Sequence, residues 1–425
     1  MNIRKMAYLS MDKIIGRGNL HKDLCEISQI VESNGSNNEA LDRLIRHATK
    51  TVEAYKNIGE DAKLSDFPIV NKNILRDTLE QHISDKYDKT ELACLTTSGS
   101  TGTPFKIYYD RRKLRRHRAA LMYWNERAGA ELGQRLYYLR VWNNMNKKGK
   151  LSQFIENIIP VEVSRFGREE VNRFLKKIGH KRSAILGFSS AISDITRNAE
   201  VFPVNLKCIL AMSEHLSEAV RQEATAKFHC PVYARYSNME NGFIAQQFDD
   251  SGEYLINTAD YIIELLHPDK DEPVADGTLG RIVVTDLYNY AMPFIRYDTG
   301  DMGVARTRPD GKRVLVSVEG RRSDIIYDVF NRPVSSHTIS ITLWHFPEIV
   351  QFQFVQKDKG KYLMLLNMRG KTFNRESELR DRLEQYIGAG AVIEFKYVNE
   401  IPVLNSGKRR YIINEYAGNI QSDII

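Results

Sequence analysis

Between residues 136 and 295, short apolar runs of strand length alternate with segments of helical periodicity, and no other feature of the chain constrains its fold as much. The runs 137–142, 184–188, 208–212 and 231–236 read as buried strands, with helical stretches such as 217–228 between them. Strand and helix in alternation predict an α/β domain with a parallel-rich sheet. At 425 residues the chain exceeds one ordinary core, and ~100–200 residues per domain predicts two or three. The first ninety residues read as mainly helical, with Leu41, Leu44 and Ile45 at helical spacing. Beyond residue 320 the pattern changes. Residues 350–354 alternate with period two, Lys357 to Gly360 supply a turn into a second strand at 362–366, Leu379, Leu383, Tyr386 and Ile387 mark one helical face, and 392–398 returns to strand. The expectation is a large N-terminal α/β domain, 1–320, and a small α+β C-terminal domain, 321–425, with the linker near 320–328.

Composition narrows the setting. Hydrophobic residues make up 42% of the chain, enough for a sizeable core, yet no apolar run approaches the ~18–20 residues that cross a bilayer. The N-terminus lacks the apolar stretch of a signal peptide, so a soluble cytoplasmic protein is expected. Cys25, Cys94, Cys208 and Cys230 form no close pair, which argues against a disulfide framework and a cysteine zinc site. His229 beside Cys230 has no matching second pair and is expected to pack at a strand start. The net charge is +7, and the densest basic run is 111–118. Asp110 is a suitable N-cap, and Leu114, Leu121 and Met122 fall at helical spacing. The reading is an amphipathic helix with one basic, solvated face, with recruitment of an anionic partner as the alternative. No nucleic-acid module or stacking pattern accompanies it, so no nucleic-acid partner is expected.

The segment 97–102 holds four hydroxyl side chains and two glycines: Thr97, Ser98, Gly99, Ser100, Thr101 and Gly102. Small residues let successive N–H groups converge on one anion, and hydroxyls add donors, so the segment reads as a phosphate cradle or as a flexible linker. A P-loop needs Lys and then Ser or Thr after its last Gly; Thr103 and Pro104 stand there instead. A cradle would sit beyond the carboxyl ends of the sheet strands.

This segment resembles the phosphate-binding motif of adenylate-forming enzymes, the superfamily of acyl-CoA synthetases and peptide-synthetase adenylation domains. Within it the chain most resembles phenylacetate-CoA ligases and CapK-type capsular polysaccharide proteins. Ser213, Glu214 and His215 resemble the adenine-contacting loop. Residues 236–240 resemble the motif in which an aromatic, here Tyr236 followed by Ser237, lies on adenine and the final carboxylate, Glu240, holds Mg2+ and serves catalysis. Residues 293–301 resemble the ribose motif, with Asp301 for the sugar hydroxyls. Residues 320–324 resemble the ribose-binding arginine, Arg321, and the hinge, Ser323 and Asp324; 401–408 resemble the motif of the catalytic lysine, Lys408. The resemblance implies ATP and Mg2+ as cofactors, a carboxylic acid activated as acyl-AMP, a thiol (coenzyme A) or amine acceptor, a mobile small domain and a homodimer.

The chemistry required fits those residue types. Bringing a carboxylate against the α-phosphorus of ATP opposes like charges, so catalysis is mostly positioning and charge neutralisation. The departures are Thr103 for the usual cradle Lys, Ser237 for Gly, His215 and Leu216 for Pro and Trp, and Ser323 at the hinge Asp position. They incline the reading to CapK-like chemistry in surface-polysaccharide assembly over an aryl-CoA ligase. A non-catalytic ATP-binding scaffold is the competing class. A hydrolase ranks third, since Ser98 or Ser100 lacks an identifiable base and no Gly-x-Ser-x-Gly occurs. Tyr137, Tyr138 and Trp142 read either as acyl-pocket lining or as core.

Overall fold

The computed structural model describes residues 3–14, 16–97, 105–140, 142, 149–163, 166–214, 216–321, 326–334, 339, 342–343, 345–346, 348–368, 370, 373–401 and 411–416. The chain opens with α1 (Ile3–Ile14), α2 (Asn19–Glu32) and α3 (Asn38–Thr51), the last begun by Asn37, whose side chain accepts from the Ala40 N–H at 3.2 Å. A short strand β1 (Val70–Asn71) and helix α4 (Lys72–Asp77) lead to a hairpin, β2 (Ala93–Thr97) with β3 (Phe105–Tyr109), and then to α5 (Arg111–Arg127).

The predicted alternation follows: β4 (Arg135–Arg140), α6 (Lys150–Glu156), β5 (Ile158–Glu162), α7 (Arg168–Ile178), β6 (Ser183–Phe188), α8 (Ser189–Asn198), β7 (Leu206–Met212), α9 (Glu218–Phe228) and β8 (Val232–Asn238). Strands β5, β4, β6, β7 and β8 are neighbours in that order and parallel throughout. The chain then turns antiparallel through β9 (Gly242–Gln247), β10 (Tyr254–Ile256), β11 (Tyr261–Leu266), β12 (Leu279–Asp286), β13 (Tyr297–Thr307) and β14 (Arg313–Arg321), completing one twelve-stranded sheet that includes β1. One face of the parallel half buries Leu139, Ile185 and Ile209 against α7 and α8. The opposite face of the antiparallel half, at Phe243, Leu255 and Val314, is covered by the α2–α5 pair.

A small C-terminal unit has its own sheet and core. Beyond the two-residue pair β15 (Ile326–Tyr327) and β16 (Pro333–Val334) come β17 (Ile349–Asp358), β18 (Lys361–Met368), α10 (Glu376–Ile387), β19 (Val392–Tyr397) and β20 (Ile412–Asn414), in sheet order β19-β18-β17-β20. This is the expected β-β-α-β unit, with one added parallel strand. Leu379, Leu383 and Ile387 pack on Phe354, Tyr362 and Leu366, whereas Tyr386 lies off that stripe and is exposed. Among the described residues no helix is long and apolar enough to cross a membrane.

Two expectations are corrected. Strands β2 and β3, which flank residues 98–104 in sequence, form a separate two-stranded antiparallel sheet and are not part of the parallel sheet. Helix α5 starts at Asp110 as predicted, the Asp110 carboxylate accepting from the Lys113 N–H at 2.7 Å, but its basic residues are not one solvated face. Lys113 and Arg116 are buried, each against a carboxylate, while Leu114 is 40% exposed. The helix is wedged between α2 and the sheet, so the stripe at Lys113, Arg116, Ala120 and Trp124 faces inward and its charges are met by Asp286 and Asp260.

Candidate functional site

The parallel strands end together at Arg140, Phe188, Met212 and Asn238, the edge of an α/β sheet where ligands bind. Here β8 leaves the parallel set and reverses through Met239 and Glu240 into β9. Asn238 Oδ1 closes that turn by accepting from the Asn241 N–H at 2.7 Å. Gly242 has φ +94°, and a Cβ there would lie 2.6 Å from His117 Nδ1, so both backbone and space require glycine.

Tyr236 and Asp301 meet at this edge. The buried phenol donates to Asp301 Oδ2 at 2.8 Å and lies 3.4 Å from Thr299 Oγ1. Thr299 in turn donates to the Ile282 carbonyl at 2.9 Å and accepts from the Asp301 N–H at 3.1 Å. Burial, and then the negative charge of Asp301, push the phenol well above its ordinary pKa, so it remains a neutral donor. Across the β13–β14 ladder Asp301 stands directly opposite Arg321. The Tyr236–Asp301 bond thus joins β8 to the β13–β14 ladder, across which Asp301 is in register with Arg321, the three being residues that the resemblance assigns to the nucleotide.

Glu240 is half-buried, and among the described residues its carboxylate has no hydrogen-bond or ion-pair partner. Its backbone is held from beneath. The Tyr109 hydroxyl donates to the carbonyls of Met239 and Glu240, both at 2.9 Å. Lys113 Nζ donates to the Asn241 carbonyl at 2.9 Å, as does the Tyr261 hydroxyl, and lies 2.5 Å from Asp286 Oδ2. Burial raises the Asp286 carboxyl pKa, and Lys113 works against that shift. Sequence reasoning missed this support; the signal available was the inward phase of Lys113 within the basic run. One free carboxylate suits Mg2+, which retains water and takes one or two carboxylates together with phosphate oxygens.

The remaining residues are more dispersed. Ser213 ends β7's turn with φ +67°, and Ser237 pairs with Phe243. Glu214 Oε2 accepts from the Ser190 N–H at 2.8 Å and its carbonyl from Ser189 Oγ at 2.8 Å, so this carboxylate sits at the positive end of α8. Tyr137 is core, edge-on to Phe174, while Tyr138 and Trp142 are half-buried at the strand ends. Cys208 and Cys230 are buried, Cys25 and Cys94 exposed, all four unpaired, and among the described residues no cluster of three or more His, Cys, Asp and Glu occurs. For Thr97 and Arg321 the backbone alone is described; Ser98, Gly99, Ser100, Thr101, Gly102, Thr103, His215, Ser323, Asp324 and Lys408 lie outside the described residues.

The architecture is that of the adenylate-forming acyl-CoA ligases. The chain superposes on 2-hydroxyisobutyryl-CoA ligase, solved in the postadenylation state in complex with R3-HIB-AMP, with a TM-score of 0.69 and 17% identity over 91% of this chain and 90% of that one. Residues 330–415 match the CapK C-terminal domain family. The chain is 25% identical over 376 residues to protein CapK of Staphylococcus aureus, covering 83% of this chain and 80% of that protein. It is 23% identical over 286 residues to phenylacetate-coenzyme A ligase of Thermus thermophilus, covering 62% and 64%. In fold the chain is similar to the adenylate-forming acyl-CoA ligases, and in sequence to CapK and phenylacetate-CoA ligase.

Proposed function

We propose that the protein is an ATP-dependent ligase that converts a carboxylic acid to its acyl-adenylate and passes the acyl group to an acceptor. The observation that carries this reading is Asp301, oriented by the Tyr236 hydroxyl and opposite Arg321 at the edge where the parallel strands end. In that reading an oxygen of the acid attacks the α-phosphorus, the bond from that phosphorus to the bridging oxygen breaks, and pyrophosphate leaves. Asp301 accepts the ribose hydroxyls, and the Tyr236 ring covers adenine while its hydroxyl fixes the carboxylate. Ser213, Glu214 and Ser237 border the nucleotide. Thr97, Ser98, Gly99, Ser100, Thr101 and Gly102 cradle the outer phosphates, and Arg321 backs the ribose. Glu240 holds Mg2+, which when bound neutralises phosphate charge. Lys408 neutralises charge at the α-phosphate as a compact ammonium on a long stem. It belongs to a small domain, 321–425, that rotates about Ser323 and Asp324 and leaves the larger unit, 1–320, to bind ATP and acid.

For the acceptor, the motif departures at Thr103, His215, Leu216, Ser237 and Ser323 incline the reading to an amine of a sugar or amino acid in surface-polysaccharide assembly, with coenzyme A as the alternative that the CoA-ligase relatives support. Pyrophosphate exchange over a panel of acids tests the first half-reaction: acid-dependent exchange is expected, and ATP binding without exchange on any acid overturns the reading in favour of a scaffold. Leaving out the acceptor tests the second: a CoA ligase forms thioester and releases AMP with coenzyme A, whereas an amide-forming enzyme stalls at the adenylate.

A further inference from the structure

Six lysine and arginine side chains are buried among the described residues: Lys113, Arg116, Arg221, Arg235, Arg281 and Arg296. Five meet a carboxylate, Lys113 with Asp286 at 2.5 Å, Arg116 with Asp260 at 2.6 Å, Arg221 with Glu218 at 2.6 Å, Arg281 with Asp298 at 2.8 Å and Arg296 with Glu264 at 3.0 Å. Arg235, only 7% exposed, meets none. Its Nε and Nη2 donate to Gln246 Oε1 at 3.0 and 2.7 Å, Nη2 donates also to Asn125 Oδ1 at 2.7 Å, and the guanidinium lies 4.8 Å from the Phe243 ring. Amide oxygens satisfy N–H directions but bring no opposite charge, and a buried ion without a counter-ion is costly. Burial lowers the Arg235 pKa to about 10, which leaves it charged at neutral pH.

A second cation with no counter-ion among the described residues stands on the same edge. Arg140 ends β4 with Nη1 3.4 Å from the Tyr138 hydroxyl, and its buried Nε has no hydrogen-bond partner. Its guanidinium lies 5.5 Å from the Trp142 ring and 5.8 Å from that of Phe188. The carboxylate beside it in register, Glu162, is turned instead to the N–H groups of Trp142 and Val163, both at 3.0 Å. The sheet register puts the two arginines on one row: Leu139 pairs with Gly187, Phe188 with Met212, and Met212 with Arg235. Three strand spacings of ~4.8 Å separate the ends of the row. Both guanidinium charges act on the Tyr138 hydroxyl, which lies 3.8 Å from Met212 Sδ in the same row. The row ends one residue from Tyr236, whose hydroxyl holds Asp301.

We propose that this row receives the far end of the acyl substrate, and that the acid carries a second carboxylate there, bound by Arg235 and Arg140 together with the Tyr138 hydroxyl. The inference rests on the adenylate-forming reading. A carboxylate suits the site because two guanidinium groups and one hydroxyl all donate hydrogen bonds toward an anion.

The test compares straight-chain α,ω-dicarboxylic acids with monocarboxylic acids of the same lengths. Pyrophosphate exchange by the full-length protein is expected to show a lower KM for a diacid than for its monoacid partner. Arg235→Met is expected to raise the diacid KM roughly 10- to 100-fold, the usual weight of a charge-assisted bond, with the ATP KM unchanged and the monoacid KM unchanged or lower. Arg235→Lys is expected to recover part of the diacid preference. The same diacid, without ATP, should raise the Tm of the wild type and not of the Met variant. Exchange on monoacids in preference to diacids, or equal loss on both acids in the variant, overturns the inference and leaves the adenylation reading standing. Diacid-dependent protection in the wild type without exchange on any acid overturns the adenylation reading and with it the assignment of the row to an acyl substrate.

Discussion

The Tyr236 hydroxyl donates to Asp301 Oδ2 at 2.8 Å, joining β8, which ends the parallel half of the sheet, to β13. The phenol is buried and its proton is held by the adjoining negative charge, so the pair orients the Asp301 carboxylate before any nucleotide arrives.

Tyr236→Phe keeps the ring and removes this orientation. The ATP KM in pyrophosphate exchange is expected to rise about tenfold, as for a lost hydrogen bond to a charged group, with a smaller effect on kcat. An ATP KM equal to wild type shows that Asp301 is positioned without the phenol.

Glu240→Gln preserves shape and removes the free carboxylate at the β8–β9 turn. The Mg2+ concentration giving half-maximal exchange is expected to rise by at least tenfold while the Tm stays within a degree or two, since surface-accessible changes outside ion pairs shift stability little. Titration of exchange against Mg2+ measures it, and an unchanged midpoint removes Glu240 from the metal site.

Breaking the buried Lys113–Asp286 pair leaves an uncompensated charge under the same turn. Lys113→Met is expected to lose about 3–5 kcal/mol in urea unfolding, and the double variant with Asp286→Leu to regain part of it. By contrast Leu114→Lys, at an exposed position of the same helix, is expected to change stability by less than about 0.5 kcal/mol.

Gly242→Ala places a Cβ 2.6 Å from His117 at a positive φ. A loss of about 1–3 kcal/mol is expected from backbone strain alone, read from the shift in denaturation midpoint. Because the turn carries Glu240, the Mg2+ dependence of exchange is expected to worsen as well.

The small unit carries a pH dependence. Burial works to raise the Asp328 pKa, but the N–H groups of Arg332 and Phe330 and the Arg332 guanidinium outweigh it, and the carboxyl is held below its ordinary value. A depressed carboxyl stabilises above its unfolded pKa and loses that contribution as pH falls through the folded one. Asp328→Asn is therefore expected to destabilise the protein at neutral pH, with the difference from wild type shrinking as the pH drops below the ordinary carboxylate range. Unfolding midpoints across that interval measure it; a constant difference discards the linkage.

Periodicity located the strands 184–188, 208–212 and 231–236, the cap at Asp110 and the β-β-α-β order of the C-terminal unit, because side-chain phase and capping are set by residues within a few positions of one another. It misplaced the cradle hairpin, since which strand lies beside which depends on partners elsewhere in the chain. It also misread α5. A run of Arg and Lys has the composition of a solvated face, and only packing shows that Arg116 reaches Asp260, 144 residues away. The motif residues Tyr236 and Asp301 were legible one by one, but their hydrogen bond spans 65 residues and shares no local pattern.

The sequence by itself determined the element types, the order of the motifs and the residue chemistry available at the candidate site, all of which follow from local hydrogen bonding and side-chain identity. Tertiary structure alone decided which charges are compensated. It paired Lys113 with Asp286, set Asp301 opposite Arg321, and left Arg235 buried among neutral amides. Charge compensation is a property of distance and dielectric in the folded chain, and no spacing along the sequence encodes it.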